Sequence, residues 1–167
     1  MSERTLEIRP ARAEDWPSLW PIFHAIVQQG DSYAYPSDLT SEQAEALWLE
    51  PPPGATVVAL ADGQIVGTAK MGPNRPGRGS HIATASFMVD PAARRLGVGR
   101  TLGHHVIDWA TEQGYHGIQF NAVVETNTSA VALWQDLGFE IIGTVPGAFE
   151  HATHGYVGLH VMYRSLP

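Results

Sequence analysis

Between residues 87 and 100 the chain reads Phe87-Met88-Val89-Asp90-Pro91-Ala92-Ala93-Arg94-Arg95-Leu96-Gly97-Val98-Gly99-Arg100. An apolar run stops at Asp90-Pro91, a turn carries two glycines, and a helical pattern follows. Unpaired N–H groups at a helix start, together with its partial positive charge, attract phosphate. Gly97 and Gly99 lack Cβ atoms, so a ligand can approach the backbone. Arg94, Arg95 and Arg100 bring three of the ten Lys and Arg residues to this one place. The chemistry indicated is capture of a pyrophosphate. A P-loop requires a Lys after its second glycine, and none is present here. A dinucleotide fingerprint requires a third glycine where Leu102 stands, and it follows the first strand of a βαβ unit. The pattern that fits is Arg94-x-x-Gly97-x-Gly99 between a strand and a helix. An ordinary tight turn accounts for the glycines alone equally well.

Other residues bound the chemistry from outside. The chain has no Cys, which excludes disulfides, thiolate nucleophiles and Cys-ligated zinc. Its 8 His are scattered without a His-Glu-x-x-His pattern, so no metal site is expected. Seventeen acidic against ten basic residues give a net charge of −7, which argues against a nucleic-acid partner. Asn121 interrupts a largely apolar strand pattern from Ile118 to Val124. An amide placed there needs a hydrogen-bond partner or costs about 1–3 kcal/mol.

The elements that must position these residues follow from periodicity. With 167 residues, 44% hydrophobic and 16% charged, one ordered domain spanning 1–167 is expected. The opening Met1-Ser2-Glu3-Arg4-Thr5-Leu6 shows no apolar leader, and no run reaches the ~20 apolar residues of a membrane helix. Thr5 to Arg9 alternates as a strand. Trp16, Leu19, Trp20, Phe23, Ile26 and Val27 form one helix face, with Pro21 expected to kink it. Thr40-Ser41-Glu42-Gln43 has the form of a capping box ahead of a helix to Trp48. Asp62-Gly63 between two period-two runs signals a hairpin, and a third strand runs from His81 to Val89. Leu102, Val106, Trp109 and Ala110 mark a helix ended at Gly114. Ile118 to Val124 is a strand, and Asn127 or Thr128 caps a further helix closed by Gly138. Phe139 to Thr144 and Tyr156 to Tyr163 are the last strands. The order is β-α-α-β-β-β-α-β-α-β-β, helices around one mixed sheet.

A second block, Asn127-x-x-Ala130-x-x-Leu133-Trp134-x-x-Leu137-Gly138-Phe139, lies about thirty residues beyond the glycine turn. With both blocks in this order, the chain resembles the GNAT superfamily of acyl-CoA-dependent N-acetyltransferases over nearly its whole length. The resemblance implies an α/β (α+β) fold with a mixed, mostly antiparallel central sheet, splayed at the cofactor cleft between the Val89 and Ile118 strands and flanked by about four helices. It implies acetyl-CoA as co-substrate. The backbone of Phe87, Met88 and Val89 would then bond the pantetheine arm. Amides of Arg95, Leu96, Gly97, Val98, Gly99 and Arg100, with Arg94 beside them, would cradle the pyrophosphate. Asn127 would contact the cofactor near its reacting end, and Trp134 would wall the cleft. An amine would attack the thioester directly, without a covalent enzyme intermediate.

The sequence departs from that pattern at the acid–base positions. Trp134 stands where many members carry a Tyr, and an indole is no practical acid. Neither central strand carries a carboxylate; Glu125, in the following turn, is the nearest candidate base. The run from Gln119 to Asn127, with Gly143-Thr144-Val145-Pro146 and Gly155-Tyr156-Val157, resembles the fungal proline-analogue (azetidine-2-carboxylate) acetyltransferases and their bacterial relatives. That subgroup implies that Asn121 holds the substrate and Asn127 assists catalysis. Tyr33 and Tyr35 fall in the family's acceptor loop. The expected activity is acetyl transfer to the amine of a small molecule, an amino acid or a proline-like analogue. The alternatives are a protein N-terminal or lysine acetyltransferase and a non-catalytic acyl-CoA sensor. The composition, the charge and the lack of an apolar leader or membrane-length run make a cytoplasmic chain with no nucleic-acid or membrane partner the expectation, and the resemblance implies pairing as a homodimer through its C-terminal strands.

Overall fold

The computed structural model describes residues 5–167. Residues 1–4, in which the lack of an apolar leader was read, lie outside the described residues. The first strand, β1 (Leu6–Pro10), leads into α1 (Trp16–Gln29). Arg9 grips Asp15 through two bonds of 2.8 Å, and the Arg12 N–H adds a third of 2.7 Å. These contacts hold the Asp15 carboxyl below its ordinary pKa, the Arg9 bonds most of all. Pro21 does not break α1, which runs unbroken through it. It sits in the second turn, where the N–H it lacks would have bonded only to Pro17, so the loss falls close to the helix start. Helix α2 (Ser41–Trp48) begins at the expected capping box: Thr40 Oγ1 accepts from the Gln43 N–H, and Gln43 Oε1 accepts from the Thr40 N–H.

Strands β2 (Ala55–Ala61) and β3 (Gln64–Pro73) join at Asp62 and Gly63, with φ of 51° and 77°. Two left-handed residues in succession make the turn whose twist matches a hairpin. Then come β4 (Ile82–Val89), α3 (Val98–Glu112), β5 (Gly117–Val124), α4 (Thr128–Asp136), β6 (Glu140–His151) and β7 (Gly155–Ser165). The described residues thus form a seven-stranded sheet in the order β1-β2-β3-β4-β5-β7-β6. Strand β6 outruns the expected Thr144 by seven residues. A register shift between Val145 and Phe149 absorbs Pro146 and Gly147, so pairing with β7 resumes beyond them.

All neighbouring strands are antiparallel except β4 and β5, which pair in parallel only at Ile82–Gly117 and Ala83–Ile118. Beyond those pairs the sheet parts, as the resemblance implied. Each face is covered by two helices. Trp16, Leu19, Phe23 and Ile26 of α1 and Trp48 of α2 pack on Val58 and Met88. Val98, Leu102 and Val106 of α3 and Trp134 of α4 pack on Ala83, Ile118, Phe120 and Met162. Gly103 lets α3 and α4 touch: a Cβ there would lie 2.6 Å from Leu137 Cδ1 and 3.1 Å from Trp134 Cζ3.

Candidate active site

The glycine turn takes the form that its residues suggested. Asp90 Oδ1 accepts from the Ala92 N–H at 2.9 Å and tightens a short 3-10 turn over Pro91–Ala93. Arg95 (φ 78°) and Gly97 (φ 73°) are left-handed, which folds the backbone back before α3 starts. For Arg95 this conformation is strained, at a cost of order 1–2 kcal/mol. The first helical N–H to find an acceptor is that of Thr101, on Gly97 O at 3.0 Å. The amides of Val98, Gly99 and Arg100 therefore have no helical partner, which fits a pyrophosphate. A Cβ at Gly97 would meet nothing within 4 Å, so its side is open; a Cβ at Gly99 would meet Leu133 Cδ2 at 3.3 Å. Gly97 thus faces open space, whereas Gly99 admits the flank of α4. Of the three arginines, Arg100 pairs with Asp136 at 3.0 Å and Arg94 reaches Gln29 at 3.4 Å.

The parting of the sheet exposes one edge of β4. The Asp90 N–H bonds Val66 O on the β3 side. By strand alternation Met88 and Ser86 also turn their peptides to β3, while Ala85, Phe87 and Val89 turn theirs into the gap. Met88 therefore has its side chain in the core and its backbone committed to β3. It supports its neighbours, and of the three residues Phe87 to Val89 it is Phe87 and Val89 whose backbone faces the gap. At Phe87 that backbone is occupied. The Tyr33 hydroxyl accepts from the Phe87 N–H at 2.8 Å and donates to the Phe87 carbonyl. Burial pushes the Tyr33 phenol far above its ordinary pKa, so it is a neutral donor throughout the physiological range. Tyr33 and Tyr35 stack, with Tyr35 against Phe23, and both are half-buried.

On the α1/α2 face, the floor beside the gap is polar. Ala83, Ala85 and Phe87 belong to the opposite core, so Thr84 and Ser86 point to this face. On β5, Ile118 and Phe120 likewise leave Gln119 and Asn121 here. A register shift between Phe120 and Val123 lifts Asn121 out of the ladder, and its side chain is exposed. Gln119 Nε2 donates to Asn121 Oδ1 at 2.9 Å, and Asn121 Nδ2 donates to Asn74 Oδ1 at 2.7 Å. Neither Asn74 nor the two hydroxyl residues were singled out from sequence. Asn74 lies in a loop whose Pro and Gly content masks it, and a chemical role for Thr84 and Ser86 needs the strand's facing to be known.

The proposed catalytic residues are differently placed. The Asn127 backbone starts α4, and its side-chain Oδ1 is 3.3 Å from Ser129 Oγ instead of capping the helix. The Glu125 carboxylate is not a free turn group: Oε1 accepts from the Gly158 N–H at 2.7 Å, and the Glu125 N–H bonds Gly158 O. Trp134 is buried against Phe87 and Phe120, with ring centroids 4.6 and 4.9 Å away, and closes the α3/α4 side of the gap. Among the described residues no group of three His, Asp or Glu could hold a metal ion, and no helix is long and apolar enough to cross a membrane.

A sheet that parts between β4 and β5, with an open glycine turn at the start of α3, is the architecture that the resemblance implied. The family model described as "Acetyltransferase (GNAT) family" matches residues 11–139, and the chain belongs to that family. A solved GCN5-related N-acetyltransferase from Kribbella flavida is 58% identical with a TM-score of 0.94, covering 96% of this chain and 98% of that one. The chain is 34% identical over 104 residues to N-acetyltransferase aca1 of Schizosaccharomyces pombe, 62% of this chain and 50% of that protein. The matched stretch therefore spans only half of the yeast relative. It is also 30% identical over 148 residues to an L-methionine sulfoximine/L-methionine sulfone acetyltransferase of Pseudomonas paraeruginosa, covering 83% of each.

Proposed function

We propose that the protein transfers an acetyl group from acetyl-CoA to the amine of a small acceptor bearing a carboxylate, an amino acid or a close analogue. The observation that carries this reading is the floor of the gap: Thr84, Ser86, Gln119, Asn121 and Asn74 supply hydroxyls and amides and no carboxylate. An anion there would hold the acceptor amine protonated, and only the neutral amine attacks. Neutral amides recognise a carboxylate without that penalty. The Pseudomonas relative is named for amino-acid analogues, which supports the same class.

On this reading the amides of Gly97 to Arg100 hold the pyrophosphate, the Val89 peptide holds the pantetheine arm, and the Phe87 peptide joins it once the Tyr33 hydroxyl releases it. Acetyl-CoA, when bound, supplies the activated acetyl thioester. Trp134 and Phe87 keep water from one side of the gap. The floor opens to solvent, so the proton shed by the attacking amine passes to water without a dedicated base. A cytoplasmic chain with no cysteine to oxidise fits this chemistry. The exposed Ile142 and Val145 on edge strand β6, with Tyr156 on β7, suit pairing with a second copy. The testing experiment is acetyl-CoA turnover across free amino acids (methionine sulfone and sulfoximine among them), polyamines and short peptides. Free amino acids or their analogues should turn over best. A preference for polyamines or peptide N-termini would overturn the assignment, and binding of acetyl-CoA without turnover of any amine would make the chain a sensor.

A further inference from the structure

The amides of Gln119, Asn121 and Asn74 form a chain of fixed direction. Gln119 donates to Asn121, and Asn121 donates to Asn74. A primary amide has two N–H donors and one carbonyl. The chain uses one of the two lone pairs on each of the Asn121 and Asn74 carbonyls and leaves one N–H on Gln119, one on Asn121 and both on Asn74. Beyond Gln119 the spare N–H donors therefore outnumber the spare lone pairs, and the run is biased toward donation. The run crosses β4 on the α1/α2 face, where β4 and β5 cease to pair. Its far end is anchored because the Asn74 N–H bonds Ile82 O at 2.7 Å. The next loop carries Arg75 and Arg78, both exposed, so this corner is electropositive on a chain of net charge −7.

We propose that Asn74 is a specificity-determining residue: it locks the Asn121 amide in orientation and, with it, offers N–H donors to the carboxylate of the acceptor. This rests on the reading of the gap as an acetyl-transfer site for a small carboxylate-bearing amine. Without Asn74, the Asn121 amide can turn and present its carbonyl, which repels a carboxylate. Asn74 thereby sets the preference for acid over neutral acceptors, and the thioester and its binding turn lie outside its reach.

The test compares methionine sulfone with its carboxamide, equal in size but lacking the negative charge, in the wild type and in Asn74→Asp. Asp keeps an acceptor for Asn121 Nδ2, so the brace across β4 survives, while its donors are replaced by an anion. The new anion favours the protonated amine of both acceptors, so the reading is the ratio of KM for the acid to KM for the carboxamide, which should rise ten-fold or more because a charge-assisted bond is lost only with the acid; KM for acetyl-CoA should stay within about two-fold. Asn74→Ala, read in the same assay, should lose several-fold of the acid preference and serves if the Asp variant melts early. Equal changes for both acceptors would reduce Asn74 to a brace and overturn the proposal. A wild type that acetylates amines but never prefers the acid also overturns it. Failure of the acetyl-transfer reading looks different: no acceptor turns over in any variant.

Discussion

Removing one oxygen atom tests how the cleft edge is kept satisfied. In Tyr33→Phe the ring and its stacking on Tyr35 remain, but the Phe87 N–H loses its acceptor and the Phe87 carbonyl its donor. Each lost bond is worth about 1 kcal/mol net, so the ligand-free protein should lose about 2 kcal/mol. For a chain of this size that is a fall in Tm of about 4–8 °C. The deficit should shrink once acetyl-CoA is present, because the acyl oxygen can take the Phe87 N–H that the phenol releases. CoA, which has no such oxygen, should rescue less. The assay is thermal melting of both proteins alone, with CoA and with acetyl-CoA. Alkaline titration adds a second signature. The folded phenol's pKa is raised, so its contribution is intact below the unfolded value near 10 and is lost as pH rises above it. Tyr33→Phe should lack that part of the alkaline loss. An equal drop in Tm under all three ligand conditions would refute the reasoning, since the hydroxyl would then remain on Phe87 whether or not the donor is bound.

Gly97→Glu should cost about 1–2 kcal/mol for its left-handed backbone, since its side chain enters open space, yet calorimetry should find CoA affinity down more than about 10²-fold from charge repulsion at the turn. Unchanged affinity in the folded variant would remove the pyrophosphate from this turn. Glu125→Gln keeps an oxygen for the Gly158 N–H, so steady-state kinetics should show kcat lowered by less than about 10²-fold; a fall of about 10³-fold would identify Glu125 as a base. Asp15→Asn should be less stable than wild type near neutrality in urea melts. The gap should close as pH falls below the unfolded carboxyl value of 3.8, because the lowered pKa of Asp15 contributes stability only above that range. A gap that persists at low pH would show that packing, not the Arg9 pair, holds Asp15.

Local signals carried most of the fold. The Thr40 box, the Asp62-Gly63 turn and the α3 start at Gly97 each depend on residues within a few positions, and each stands where the sequence puts it. The form of the glycine turn was legible for the same reason. The edge and floor of the gap depend on contacts far apart in the chain: Tyr33 meets Phe87 across 54 positions and Asn121 meets Asn74 across 47. No periodicity reports such pairs. The contact of Gly99 with α4 was hidden on similar grounds, because the neighbour that a Cβ there would meet is Leu133, far along the chain. The extent of β6 beyond Thr144 escaped because no local pattern carries a strand through Pro146 and Gly147, whereas β7 supplies pairing on both sides of them.

Only two residues of β4 pair with β5, so the sheet is mechanically two panels, β1 to β4 and β5 to β6, joined at one corner. Tension across it is carried by the α3/α4 core more than by backbone bonds. On the proposed function, a ligand with peptide-like groups lying along Val89 and Phe87 would act there as a surrogate strand and stitch the panels together. Anything that binds only the folded form adds to its stability, by about 2.7 kcal/mol at a hundred times its Kd. The loaded chain should therefore outlast the empty one against proteases, so that the supply of acyl donor sets the working lifetime of the protein as well as its turnover.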